Sequence, residues 1–261
     1  MNIAKGTRTV RVVRAFLPFA FLAISAVQIL LAGCAPSSTP TGEGALTAVP
    51  LAPGEPLRVV ATTTIVGDVV AQVGGEAIEL TVLLRPGQDP HTYHPRPGDL
   101  AAIAEAHVVF VNGLGLEAFL DDVLRSAGGD RPVVTVSEGI VPRQHPRNPE
   151  QPDPHVWFDV RNVMVWVDNI EAALSALDPA HAEVYRASAA AYREELESLD
   201  AWIVQRVATV PEQNRRLVTN HPALGYFADR YGFEQVGAVY PVSPSAEPSA
   251  CLLYTSPSPR D

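Results

Sequence analysis

The chain has 261 residues and a 47% hydrophobic content, enough for one large or two ordinary domains and too apolar for a disordered tail. Of its 19 basic residues, Lys5, Arg8, Arg11 and Arg14 fall within the first 33, which hold no acid, so the remainder sets 15 basic side chains against 29 acidic ones. A body that negative repels phosphate backbones, which argues against a nucleic-acid partner.

The N-terminus reads as an address. A basic segment to Arg14 precedes an apolar run from Ala15 to Leu31, about 17 residues, marginal for a membrane span and suited to a signal-peptide core. The run ends in Leu-Ala-Gly-Cys at Cys34, which resembles a bacterial lipobox. Residues 1–33 are therefore expected to be a signal peptide and Cys34 the lipidation site. An uncleaved anchor is the alternative, and both place the rest outside the cytoplasmic membrane. Residues 34–56 are rich in Ser, Thr, Pro, Gly and Ala without periodicity, the composition of a flexible tether. The only other cysteine is Cys251, so with Cys34 lipidated no internal disulfide can form.

The folded part begins with the β-rich run 57–64, followed by helical spacing over 65–75 that closes on a Gly pair. Then come an apolar run at 78–84, a helix over 97–106, a strand over 107–113, a helix over 116–129 and a strand over 132–138. Strands that are apolar rather than alternating, separated by helices, predict a parallel sheet covered on both faces, an α/β lobe over 57–160. A helical region follows over 161–212, broken near Leu-Asp-Pro-Ala-His-Ala-Glu (177–183). Its second part would span about 40 Å, a length suited to a rigid strut between lobes. Residues 213–249 restart a strand–helix–strand unit, too short to be a lobe, because a parallel sheet needs neighbours and cover on both faces. The expectation is thus two parallel-sheet α/β lobes joined by a long helix, the second lobe truncated, with the natural protein continuing beyond about Ser249. Residues 250–261 read as a non-native tail; a genuine short C-terminus is the alternative.

The candidate chemistry lies in a repeated tripeptide. Asp-Pro-His stands at 89–91 and at 153–155, and a third histidine, His221, lies in Thr-Asn-His-Pro-Ala. Each follows a predicted strand or leads into a helix, where α/β sheets place their ligands. Three neutral imidazoles meeting there would suit a divalent metal, and tetrahedral zinc would need one further ligand. Pro90 and Pro154 fix φ and stiffen the backbone that presents each ring, and Pro222 stiffens the third loop. Asp89 and Asp153 could orient the loops or hold a ring N–H. Taken singly each histidine reads as structural; the repetition points to ligands. His94 reads as solvated and His107, His145 and His181 as structural, with His145 a possible transient catcher of metal.

These residues, with Val-Val-Ala-Thr-Thr-Thr-Ile-Val-Gly-Asp (59–68) and the stretch Val73–Leu100, give a chain that resembles the zinc/manganese solute-binding lipoproteins of metal ABC importers over about Arg58–Ser249. The resemblance implies two α/β lobes joined by a long helix, with His91, His155 and His221 binding metal between them. It implies Zn2+ as cargo with Mn2+ as the alternative, since manganese members typically carry Glu at the third position. It implies an ABC permease and an ATPase on separate chains as partners, and a monomer anchored by lipid at the outer face of the membrane or in the periplasm. The fourth ligand would come from the far C-terminal part, which is missing here, and the long His-rich loop of some zinc members is absent. The competing classes are a zinc hydrolase and a surface adhesion lipoprotein. The chain lacks His-Glu-x-x-His, Gly-x-Ser-x-Gly and a phosphate-binding P-loop, so no enzyme is expected. Adhesion gives no reason for three strand-end histidines. Metal affinity is expected to fall as pH drops through the imidazole range near 6.5.

Overall fold

A computed structural model describes residues 46–145 and 148–240. Four parallel strands, β1 (Leu57–Ala61), β2 (Ile78–Val82), β3 (Val108–Val111) and β4 (Val133–Thr135), form a sheet in the order β2-β1-β3-β4. Val59 pairs with Leu80 on one side and Val108 on the other. Alternation along β1 sends Leu57, Val59 and Ala61 into one core and Val60 into a second, and β3 divides in the same way, with Phe110 facing the first core and Val109 and Val111 the second. Helices cover both faces of the central strands, so β3 is buried at every position and β1 at all but Arg58, whereas the edge strand β2 alternates between more and less exposed residues.

Helix α1 (Thr64–Gly74) covers the first face, capped by Thr63, whose hydroxyl accepts from the Val66 amide at 3.2 Å. It lies close to the sheet because residue 67 is glycine: a Cβ there would sit 2.6 Å from Val82 Cγ2. Helices α2 (Pro97–Glu105) and α3 (Leu120–Ala127) cover the second face through Ile103, Leu120 and Val123. The helix expected over 116–129 starts four residues late. Residues 116–119 form turns instead, where the Glu117 carboxylate accepts from the Asn112 and Gly113 amides. The Pro-rich segment expected as a loop contains a short antiparallel hairpin, β5 (Gln144–His145) with β6 (Asn148–Pro152).

Two long helices follow, α4 (Val160–Leu177) and α5 (Ala182–Ala208). The break between them is built on buried Asp178, which accepts from His181 Nδ1 at 2.7 Å and from the Tyr185 hydroxyl at 2.8 Å. Helix α5 packs along α4 and α1 through Tyr185, Ala189 and Leu196. Towards its far end, Asp200 receives Arg230 and Tyr231 from α6 (Gly225–Tyr231). It thus reaches from the four-stranded sheet's cover to the strand–helix–strand unit formed by β7 (Arg216–Thr219), α6 and β8 (Glu234–Ala238), whose strands are parallel. The fold is mixed α/β with a parallel sheet and, as its longest described helix, the 27-residue α5.

Part of the expected tether is docked. Leu46, Val49 and Leu51 pack on the core, and the Val49 amide donates to the Leu177 carbonyl at 2.8 Å. Three apolar side chains within six residues are enough to hold that end of a Pro-rich run against α4. The expected signal peptide 1–33, Cys34 and the tail 250–261 lie outside the described residues. Among the described residues no helix is long and apolar enough to cross a membrane.

Candidate metal centre

Both Asp-Pro-His tripeptides fold as the same local device. The Asp89 carboxylate accepts from the His91 amide at 2.9 Å, and the Asp153 carboxylate accepts from the His155 amide at 3.1 Å. Each is an Asx turn with proline at its centre, so the backbone direction at each histidine is set by its own sequence. His91 lies in the loop after β2. His155 follows the hairpin strand β6, not a strand of the parallel sheet, and leads into α4. His221 follows β7 and enters α6 through a tight turn, in which the Ala223 amide donates to the His221 carbonyl at 2.8 Å.

The three rings meet. His155 Nε2 lies 3.3 Å from His91 Nε2 and 3.0 Å from His221 Nε2, and one nitrogen from each ring falls within 4.8 Å of the others. Tetrahedral bonds of about 2.0–2.1 Å to one ion place ligand nitrogens roughly 3.3–3.4 Å apart, so this spacing fits a shared cation. Ring centroids are 4.8–5.4 Å apart, with interplanar angles of 52–68°, so the rings converge instead of stacking.

Electrostatics leaves the rings ready to coordinate. Burial, reinforced by the facing His155 and His91 rings, pushes the His221 imidazole down to about 4. Burial and the His155 ring likewise lower His91, with a further contribution from His145. Both rings are neutral at pH 7, with lone pairs free for metal. For these two histidines the proton competition expected near 6.5 therefore moves to lower pH. His155 is held at its other nitrogen: fully buried Asp153 accepts from Nδ1 at 2.7 Å, which keeps the proton there and bares Nε2 towards the cluster. His221 Nδ1 is buried without a hydrogen-bond partner among the described residues.

Beside the rings lies a cavity of about 400 Å³ whose walls include Ile65, Leu84, Leu116 and Trp157. The Trp157 ring meets the His155 ring edge-on at 5.3 Å. An apolar wall keeps the local dielectric low and strengthens a cation's attraction to its ligands.

The remaining histidines sit elsewhere. His94 is exposed, His107 accepts from the Arg58 amide at 3.0 Å, and His181 is bonded to Asp178. His145 is half-buried in β5. Sequence reasoning missed four residues that support the site. Asn112 donates to the Pro154 carbonyl at 3.1 Å, immediately before His155. Buried Glu117 accepts from Thr62 Oγ1 and the Asn112 amide, both at 2.7 Å, and from the Gly113 amide at 3.0 Å. Burial pushes this carboxyl up, and those three donors oppose the shift. Arg143 and Tyr226 join Asp153 from other segments. No spacing or motif marks any of the four.

One loop of the four-stranded sheet, one segment after the hairpin and one after β7 bring three imidazoles together, a donor set that could hold a divalent metal ion. The chain belongs to the family described as zinc-uptake complex component A, periplasmic, whose profile matches residues 59–253. It is 38% identical over 221 residues to the manganese-binding lipoprotein MntA of Halalkalibacterium halodurans, covering 84% of this chain and 69% of that one. It is 37% identical over 200 residues to the zinc-binding protein TroA of Treponema pallidum, covering 76% and 64%. Among solved structures it resembles a manganese-bound periplasmic metal-binding protein from Candidatus Liberibacter asiaticus, with a TM-score of 0.64 and 29% identity over 69% of this chain and 67% of that one. The chain thus spans roughly two thirds of the length of the curated relatives it matches. The family is one of substrate-binding transport components and not of enzymes, in agreement with the expectation from sequence.

Proposed function

We propose that the chain captures a divalent transition metal outside the cytoplasmic membrane and delivers it to an ABC permease driven by a separate ATPase. His91, His155 and His221 are the ligands, each through Nε2, and Asp153 fixes the His155 tautomer. The observation that carries this reading is the convergence of three Nε2 atoms from segments 64 and 66 residues apart. Desolvating three imidazoles in one place is costly, and a cation shared by their nitrogens would offset that cost.

Zinc is the favoured cargo, because an all-imidazole donor set suits it and leaves a fourth position for another donor. Manganese is the second reading, supported by several relatives that are named for manganese. Membrane anchoring through Cys34 and action as a monomer complete the proposal.

The test is a competition titration of the full chain with Zn2+ and with Mn2+ against a chromophoric chelator. The parent should bind Zn2+ more tightly than Mn2+, and His91→Ala, His155→Ala and His221→Ala should each lose most of that affinity. Variants that all bind like the parent would reject the assignment. A parent that prefers Mn2+ would keep the ligands and overturn the zinc preference.

A further inference from the structure

Two of the three histidines belong to segments that are tied together by one side chain outside the cluster. Arg143, just before β5, donates through Nη1 to Asp153 Oδ2 at 3.3 Å and through Nε to Asp229 Oδ2 at 2.5 Å. Its own amide donates to the Tyr226 hydroxyl at 2.9 Å, and that hydroxyl donates to the Asp153 carbonyl at 2.8 Å. The Asp153 amide in turn donates to the Arg143 carbonyl at 2.8 Å. Asp153 bonds His155; Tyr226 and Asp229 stand on α6, the helix that the His221 turn enters. The guanidinium, 29% exposed, also lies 5.6 Å from the Tyr226 ring centroid.

The guanidinium fits there because residue 225 lacks a side chain. A Cβ on Gly225 would land on Arg143 Nη1. Gly225 opens α6 and is not among the positive-φ glycines, so its backbone does not demand glycine. Alanine would favour the helix by propensity, and what glycine supplies here is room for an arginine.

We infer that Arg143, seated over Gly225, is a positioning residue that locks the His155 loop to the His221 segment and so holds their two nitrogens at coordination distance before metal arrives. The inference rests on the metal-binding reading above. A planar fork reaching two carboxylates at once is a task for arginine, because a lysine ammonium is a single point with no second arm. Bridging Asp153 also offsets the charge of a fully buried carboxylate, which would otherwise be costly to keep in place.

Zn2+ competition titrations of the full chain test this, with the visible spectrum of the Co2+-loaded protein reporting coordination geometry and thermal melting of the metal-free protein reporting the fold. Arg143→Ala should weaken Zn2+ binding about 10–100-fold, the usual effect of removing support behind a ligand, and Arg143→Lys should recover part of it. Gly225→Ala should weaken binding about 10-fold or more and alter the Co2+ spectrum, with a Tm no lower than that of Arg143→Ala, because both remove the same bridge and alanine favours the helix. In the Arg143→Ala background, Gly225→Ala should have no further effect, because its only route to the metal is the arginine it displaces. Parent-like binding by Gly225→Ala, or effects that add in the double variant, would overturn the inference. His155→Ala separates the two claims: if it abolishes binding while the Arg143 and Gly225 variants bind normally, the clamp fails and the metal site stands.

Discussion

Replacing Asp153 by asparagine keeps the side chain's size and changes one atom, so its consequence can be worked from the distances. Among the described residues the carboxylate bonds through Oδ1 with the His155 amide at 3.1 Å and with His155 Nδ1 at 2.7 Å, and through Oδ2 with Arg143 Nη1 at 3.3 Å. If the new amide oxygen keeps the two histidine bonds, its NH2 confronts the arginine, donor against donor. If it turns over, the NH2 faces Nδ1, which must then be the bare nitrogen, and the proton moves to Nε2, where the metal would bind. Either orientation forfeits at least one charge-assisted hydrogen bond in a fully buried position, costing about 1.5–3 kcal/mol of stability. Metal affinity should fall about 10–100-fold, or roughly 1.4–2.7 kcal/mol. Denaturant unfolding of the metal-free protein measures the first quantity and Zn2+ competition the second, while long-range proton–nitrogen NMR reports the His155 tautomer. An Asp153→Asn protein that bound Zn2+ as tightly as the parent, with the proton still on Nδ1, would show that the carboxylate does not set the ligand's state.

Proton competition follows from the lowered imidazoles. With His91 depressed and His221 near 4, their contribution to the pH dependence of Zn2+ affinity should be small above the ordinary range near 6.5 and should grow towards pH 4. The unfolded chain binds protons at these positions before the folded one does, so metal-free stability should be fully present above about 6.5 and decline as pH falls towards 4. Melting curves across that window check the sign, and a Tm that rose on acidification would contradict it. Phe110→Ala, at a fully buried position in the central strand β3, should cost about 3–5 kcal/mol in denaturant unfolding and lower Tm without changing the metal preference of the surviving fold. His221→Glu exchanges an imidazole for a harder oxygen donor and should move the Zn2+ to Mn2+ affinity ratio towards manganese by on the order of 10-fold. An unchanged ratio would mean that the third donor does not govern selectivity.

What the residues reveal before folding depends on how far their partners lie along the chain. The strands of the main sheet were legible because they are rich in apolar and β-branched residues, fully buried in the central strand β3 and only partly so in the edge strands β2 and β4, and composition carries that locally. The helices were legible from their spacing, except where tertiary bonding overruled it: the Glu117 carboxylate turns back onto the Asn112 and Gly113 amides and residues 116–119 stay outside α3, and the β5–β6 hairpin forms within a Pro-rich segment that reads as loop. The metal site was legible for a more particular reason. An Asx turn with proline needs only three residues, so Asp-Pro-His records its own geometry wherever it occurs, and writing it twice announces two matched presentations of a ring. That Asp153 bonds the His155 ring and bridges to Arg143 is not written in the tripeptide. It depends on Tyr226, 73 residues beyond Asp153, and on Gly225, whose role is the space it leaves. A ligand can be inferred from its own neighbourhood, but the support that holds it at the right distance is assembled from places the ligand's sequence does not mention. Variants chosen from motifs alone would therefore test whether metal binds and miss what sets how tightly it is held.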